Sequence, residues 1–194
     1  YVRDGKFKEW KFDFFIGNEL SKKTFGIVGS GRVSRALAPI AKAFDMKIIY
    51  TNQNGEIEKD IDGVRVSLEK LLKDSDYVVL AVPLNDNTKH LIKFAELQLM
   101  KKTAVLMNIA RGPIVREADL ILALKDGLIA GACLDVYEFE PKVSEELIKL
   151  PNTILTPHIG TATKEARTRM ALLAAQNVIN VLSGNDCLNI VNKL

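Results

Sequence analysis

Apolar residues along this chain alternate between two patterns: short unbroken runs, and longer stretches where they recur every third or fourth position. The unbroken runs lie at Thr24-Phe25-Gly26-Ile27-Val28-Gly29, Lys47-Ile48-Ile49-Tyr50, residues 77–82, residues 103–109, residues 130–136 and residues 152–155. They predict buried strands, and Val64-Arg65-Val66 predicts one more, brief strand. Runs without polar alternation suit strands covered on both faces. Between the first two runs, residues 32–44 carry Val33, Ala36, Leu37, Ile40 and Phe44 at helical spacing. Residues 68–73 read as a short helix capped by Ser67, and residues 117–125 as a helix stopped at Gly127. Residues 164–182 read as a long amphipathic helix ending near Gly184. Pro39 removes a hydrogen bond from the first helix at a cost of about 3 kcal/mol, so a kink or an early end is expected there. Strands alternating with helices predict an α/β fold, a doubly wound parallel sheet joined by right-handed crossovers. The polar stretch 51–58 reads as a loop inside that fold.

The turn after the first strand has a chemical signature. Gly29-Ser30-Gly31-Arg32-Val33-Ser34 is a dinucleotide-binding (Rossmann-type) fingerprint whose third glycine is replaced by Ser34. The first glycine permits a tight turn, and the second lets the backbone approach a pyrophosphate. The helix beginning near Arg32 points its free amides at that anion. Ser34 adds only a small side chain, so a slight helix shift is expected and not a lost site. The motif alone could be a mere tight turn, but here it follows a strand and opens a helix.

Composition narrows the reading further. The chain has 194 residues, 47% of them hydrophobic and 26% charged, which is ordinary for a globular fold. Its net charge is +3, with no block of like charges, which argues against a nucleic-acid partner or a polybasic membrane anchor. No apolar run approaches the roughly 20 residues of a membrane span. Cys133 and Cys187 form neither a disulfide framework nor a zinc-ligand spacing, no metal is expected, and a cytoplasmic home is the default. The first residue is Tyr1, which suggests a fragment.

Three later blocks are more specific: Asn108-Ile109-Ala110-Arg111-Gly112, Leu134-Asp135-Val136-Tyr137-Glu138-Phe139-Glu140-Pro141, and Pro157-His158-Ile159-Gly160. With these, the chain resembles the D-isomer-specific 2-hydroxyacid dehydrogenases from residue 19 nearly to its end. The glyoxylate/hydroxypyruvate reductase branch is the nearest likeness, helped by residues 5–10 and 17–20. The resemblance implies NAD(P)-dependent reduction of a small 2-keto acid to the D-2-hydroxy acid by hydride transfer. The same scaffold also carries dinucleotide-sensing co-repressors, so a binding protein is the alternative. A phosphoglycerate or sugar-acid substrate is a third reading.

Reducing a 2-keto acid requires a cation for its carboxylate and carbonyl, and an acid for the developing alkoxide. Arg111 follows a strand and offers a planar fork suited to a carboxylate. His158 also lies just past a strand, and histidine is the side-chain type suited to giving a proton in reduction and taking one in oxidation. The resemblance places Glu140 against that imidazole, completing a catalytic trio with Arg111 and His158. It also places Asp135 at the nicotinamide and Arg32-Val33 at the pyrophosphate. Val82-Pro83 would flank the adenosine, Ile109-Ala110 would approach the nicotinamide ribose, and Arg111, His158 and Gly160 would join the cofactor set with Gly29 and Gly31. His90 is read as a packing or surface histidine, and Cys133 as a core residue.

An NAD-preferring site carries Asp or Glu roughly 20 residues past the fingerprint, at the ribose 2′-hydroxyl. Asn52 stands there, with no Arg or Lys in residues 50–54. The expectation is use of either NAD(H) or NADP(H), with NADP(H) tolerated or mildly preferred. Members of the resembled family are two-lobed. Residues 1–194 are therefore expected to be a lone dinucleotide-binding domain, with an N-terminal arm (1–23), a C-terminal tail (185–194) and the substrate lobe largely absent. The apolar arm around Phe7, Trp10, Phe12, Phe14 and Phe15 is the expected homodimer contact.

Overall fold

The computed structural model describes residues 1–53, 55, 57–187, 189 and 190. Seven strands follow the apolar runs: β1 (Thr24–Val28), β2 (Lys47–Thr51), β3 (Val64–Arg65), β4 (Tyr77–Leu80), β5 (Val105–Asn108), β6 (Gly131–Leu134) and β7 (Thr153–Leu155). They form one sheet in the order β3-β2-β1-β4-β5-β6-β7, and every pair is parallel. The chain leaves β1 toward β2 and β3, then returns to place β4 on the other side of β1. The C-terminal ends of β1 and β4 thus flank the switch point at which open α/β sheets bind ligands.

Among the described residues, five helices join the strands, α1 (Arg32–Ala43), α2 (Leu68–Asp74), α3 (Phe94–Leu99), α4 (Glu117–Lys125) and α5 (Glu145–Ile148), and α6 (Lys164–Leu182) follows β7. The strand pleat sends alternate side chains to opposite faces. Val28, Val78, Leu80, Leu106 and Leu134 enter a core with Leu71, Leu97 and Leu120 of α2, α3 and α4. Phe25, Ile27, Ile48, Tyr50 and Val79 pack on the other face against Ala38 and Ala41 of α1. Ser67 caps α2 by accepting from the Lys70 amide, and Gly127 takes φ +62° just beyond α4, both as the sequence predicts.

Three features differ from the sequence reading. First, α1 does not end at or near Pro39 but runs on to Ala43. Pro39 is exposed, so the carbonyl it leaves without a helical donor lies on the solvent side. Second, α1 turns Ser34, Ala38 and Ala41 to the sheet and leaves Val33, Ile40 and Phe44 more than half exposed. Small residues let the helix lie close to the strands, so the larger apolar set marks the outer face. Third, the runs at 77–82, 103–109 and 130–136 outlast their ladders. Beyond the ladders, Ala81 and Val82 after β4 and Ile109 after β5 line a crevice at the C-terminal edge. The helices α3 and α5 and a 3-10 turn at Gly112–Ile114 are too short for a periodic signal.

Candidate active site

Two adjoining cavities lie along the C-terminal edge at the switch point. The larger, about 660 Å³, is bounded by Gly31, Arg32 and Val33 at the start of α1, by Val82 and Pro83 after β4, and by Ile109, Ala110 and Arg111 after β5. The smaller, about 300 Å³, is shared by Gly29, Ser30, Gly31, Asn52, Val82 and Pro83. Gly29 takes φ +113°, and a Cβ there would stand 2.6 Å from the Ala81 carbonyl oxygen, so the turn requires glycine. A Cβ on Gly31 would meet nothing within 4 Å. The backbone at Gly31 is therefore open to a close neighbour that is not protein. No side chain caps α1 and no acidic residue lies in its first turn, leaving its amide end to an outside anion. Open space at Gly31 and an uncapped helix start together fit a dinucleotide pyrophosphate. Ser34 is fully buried, and its hydroxyl has no hydrogen-bond partner in the structure.

His158 and Glu140 meet across sequence: Glu140 Oε2 lies 2.9 Å from His158 Nδ1. Both line a recess of about 390 Å³ with Tyr137, Pro141, Val143 and Pro157. The second Glu140 oxygen accepts from the Tyr137 amide at 2.9 Å. Burial pushes the Glu140 carboxyl up. The His158 and Tyr137 hydrogen bonds and the charges of His158 and Arg111 outweigh it and hold the group below its ordinary range. His158 itself has φ +53°, an uncommon backbone for a residue with a side chain. Asp135 fixes the turn that carries it: Oδ1 accepts from Thr156 Oγ1 (2.6 Å) and the Ile159 amide (2.9 Å), and Oδ2 accepts from the Gly160 amide (2.9 Å). Burial raises the Asp135 carboxyl, but these three donors and His158 bring it below the usual value.

Arg111 reaches the crevice from the neighbouring strand. Its guanidinium donates to the Ala110 carbonyl at 2.6 Å and lies close enough to lower Glu140 through its charge. Asn108, 1% exposed, shapes the turn beneath it, donating to the Arg111 carbonyl and accepting from the Ala110 amide. Gly112 then passes so close to β6's continuation that a Cβ would fall 1.7 Å from the Tyr137 carbonyl oxygen. One packing contact thereby ties the Arg111 turn to the segment bearing Glu140.

His90 is more than a surface residue. Its Nε2 lies 2.6 Å from Glu138 Oε1, while Glu138 Oε2 accepts from the Glu117 amide at 2.8 Å. The Glu138 amide donates back to Glu117 Oε2 at 3.2 Å. Burial and the nearby Glu138 charge raise the Glu117 carboxyl. This brace holds the start of α4 against residues 137–140. The recess beside it, about 920 Å³, contains none of the catalytic candidates.

At the end of β2 the structure adds to the sequence reading. Asn52 stands there as read, but an acid and a cation are both beside it. Arg65 Nε of β3 donates to Asn52 Oδ1 at 3.0 Å, Asn52 Nδ2 donates to Ser30 Oγ at 3.3 Å, and Ser30 Oγ donates to Glu58 Oε1 at 2.9 Å. Arg35 Nη2 of α1 donates to Glu58 Oε2 at 2.8 Å. The loop after β2 folds back and returns a carboxylate to the fingerprint, and strand pairing brings Arg65 alongside. Neither is visible at fixed spacing from the glycines. Asn54 of that stretch, and Val191 and Asn192 of the tail, lie outside the described residues. Among the described residues, no group of three or more His, Cys, Asp or Glu side chains could hold a metal, and no helix is long and apolar enough to cross a membrane.

Known proteins resemble this chain in sequence and fold. Residues 1–160 match the family described as D-isomer specific 2-hydroxyacid dehydrogenase, NAD binding domain. A glyoxylate reductase of Pyrococcus furiosus is 48% identical over the whole chain, which covers 59% of that protein. Among solved structures, a protein from Thermus thermophilus superposes with a TM-score of 0.93 at 40% identity, over 99% of this chain and 61% of that one. A glyoxylate reductase from Paecilomyes thermophila gives 0.88 at 38% identity, over 98% and 57%. The chain spans about 60% of the length of such relatives. With a fingerprint, a crevice and a histidine–carboxylate pair in this order, it belongs to the D-isomer-specific 2-hydroxyacid dehydrogenase family.

Proposed function

We propose that this chain is the coenzyme-binding part of an NAD(P)-dependent reductase of small 2-keto acids, with glyoxylate or hydroxypyruvate as substrate. The carrying observation is the 2.9 Å His158–Glu140 pair at the same sheet edge as Arg111 and the fingerprint crevice. A nicotinamide dinucleotide held in the crevice would supply the hydride. Arg111 holds the substrate carboxylate and polarises the keto oxygen with its fork. His158, with Nδ1 on Glu140, presents Nε2 to that oxygen and gives it a proton as charge develops. Glu140 anchors the imidazole through Nδ1, and Asp135 keeps the turn in place. Arg32, Val33, Val82, Pro83, Ile109 and Ala110 line the crevice and would hold the dinucleotide.

The relatives' extra length supports a second lobe that closes over the crevice and excludes water. Homodimerisation through the arm is part of the same reading. Trp10, Phe12 and Phe15 are 74%, 87% and 77% exposed, an apolar surface of the kind protein partners cover. Two free cysteines suit a reducing, cytoplasmic setting. The test is steady consumption of NADH or NADPH by the full-length protein with glyoxylate or hydroxypyruvate. Dinucleotide binding without turnover on any 2-keto acid would instead favour a dinucleotide sensor.

A further inference from the structure

We propose that Glu58 makes this chain select NAD(H) over NADP(H), by placing a carboxylate of its own where a 2′-phosphate would be held. The inference rests on the dinucleotide reading above and names the group that discriminates within it. In this fold the end of β2, next to the glycine fingerprint, receives the adenosine ribose, and an acid there accepts from the 2′-hydroxyl. Here that position is an amide, Asn52, which cannot repel a phosphate. Yet donors placed to clasp one are already turned to protein acceptors. Ser30 Oγ and Arg35 Nη2 each donate to one oxygen of Glu58, and Arg65 Nε donates to Asn52 Oδ1.

Glu58 is a built feature of the fold and not a stray surface acid. Its side chain is only 17% exposed, and its amide donates to the Tyr50 hydroxyl at 2.7 Å, with Tyr50 fully buried under α1. Asp60 adds a second carboxylate, 3.3 Å from Arg35 Nη1. A 2′-phosphate would bring two negative charges toward Glu58 and would have to take Ser30 and Arg35 away from it. A 2′-hydroxyl brings no charge and can donate to the carboxylate as it stands. Like-charge opposition of this kind discriminates against one ligand without strengthening the other.

The test is equilibrium titration of the purified chain with NADH and with NADPH, following dinucleotide fluorescence. Wild-type protein should bind NADH at least about tenfold more tightly than NADPH. Glu58→Gln should tighten NADPH by about tenfold while changing NADH little, since Ser30 and Arg35 become available to phosphate. Arg35→Ala in the Glu58→Gln background should remove that gain. NADPH binding as tight as NADH in the wild type would overturn the proposal without any variant. So would a Glu58→Gln protein in which both affinities fall together, the signature of a merely structural carboxylate. If neither dinucleotide binds the wild type, the functional reading fails and this inference with it.

Discussion

His158 is held in a left-handed backbone by a turn whose amides are committed to Asp135, so its side-chain direction depends on that carboxylate. Asp135→Asn keeps one acceptor oxygen but sets an amide NH2 against a backbone N–H. A loss of about 1–2 kcal/mol in denaturant unfolding is expected, together with a fall in turnover of the full-length protein. The pH dependence has a definite sign. Asp135 and Glu140 both sit below their ordinary values in the folded state, so their contribution is present above the normal carboxylate range. It is lost as pH falls through that range and through the depressed folded values. Melting temperature should therefore drop on acidification, and Glu140→Gln should flatten the drop. Arg111 and His158 stand out in the sequence because each follows a strand end in a distinctive block, whereas Glu140 enters only through the family resemblance. Glu58 and Arg65 do not stand out, because the first is returned by a loop and the second arrives by strand pairing.

At the scale of elements, contact between segments matters more than propensity. The Gly112 backbone lies against Tyr137, so Gly112→Ala drives a methyl group into a carbonyl oxygen. We expect a loss of about 1–3 kcal/mol by thermal melting, and displacement of the Arg111 turn that raises KM for the keto acid more than it weakens dinucleotide binding. Glu117, raised by burial and by Glu138, behaves oppositely to Asp135. Its folded form holds a proton more strongly than the unfolded chain, so stability falls as pH rises through its folded value. Glu117→Gln should reduce that fall in melts taken from acid toward neutral pH. Strand identity was readable because buried parallel strands need unbroken apolar runs. Strand ends were not, since the same apolar residues continue into the crevice walls. The apolar spacing in α1 predicts a helix but does not mark its buried face, because close packing selects Ser34, Ala38 and Ala41 over larger residues.

For the whole molecule, the parallel order and its switch point follow from the strand–helix alternation, and the crevice follows from the order. What the pattern leaves open is the outer surface. None of α6's residues is buried, and Met170, Leu172, Val178 and Val181 are all more than half exposed. The aromatic arm pairs Tyr1 with Phe14 and Phe15, and Trp10 with Phe12, while staying open to solvent. Sedimentation should find a dimer that Trp10→Ser with Phe12→Ser shifts toward monomer, leaving the melting of the sheet core little changed. The central claim is that His158 supplies the proton for hydride reduction of a 2-keto acid at this sheet edge. Single-turnover reduction of glyoxylate by the full-length protein with bound NAD(P)H tests it most directly, comparing wild type with His158→Ala. The account predicts a rate lower by about 10²–10⁴-fold with dinucleotide affinity unchanged; a variant that turns over at the wild-type rate would contradict it.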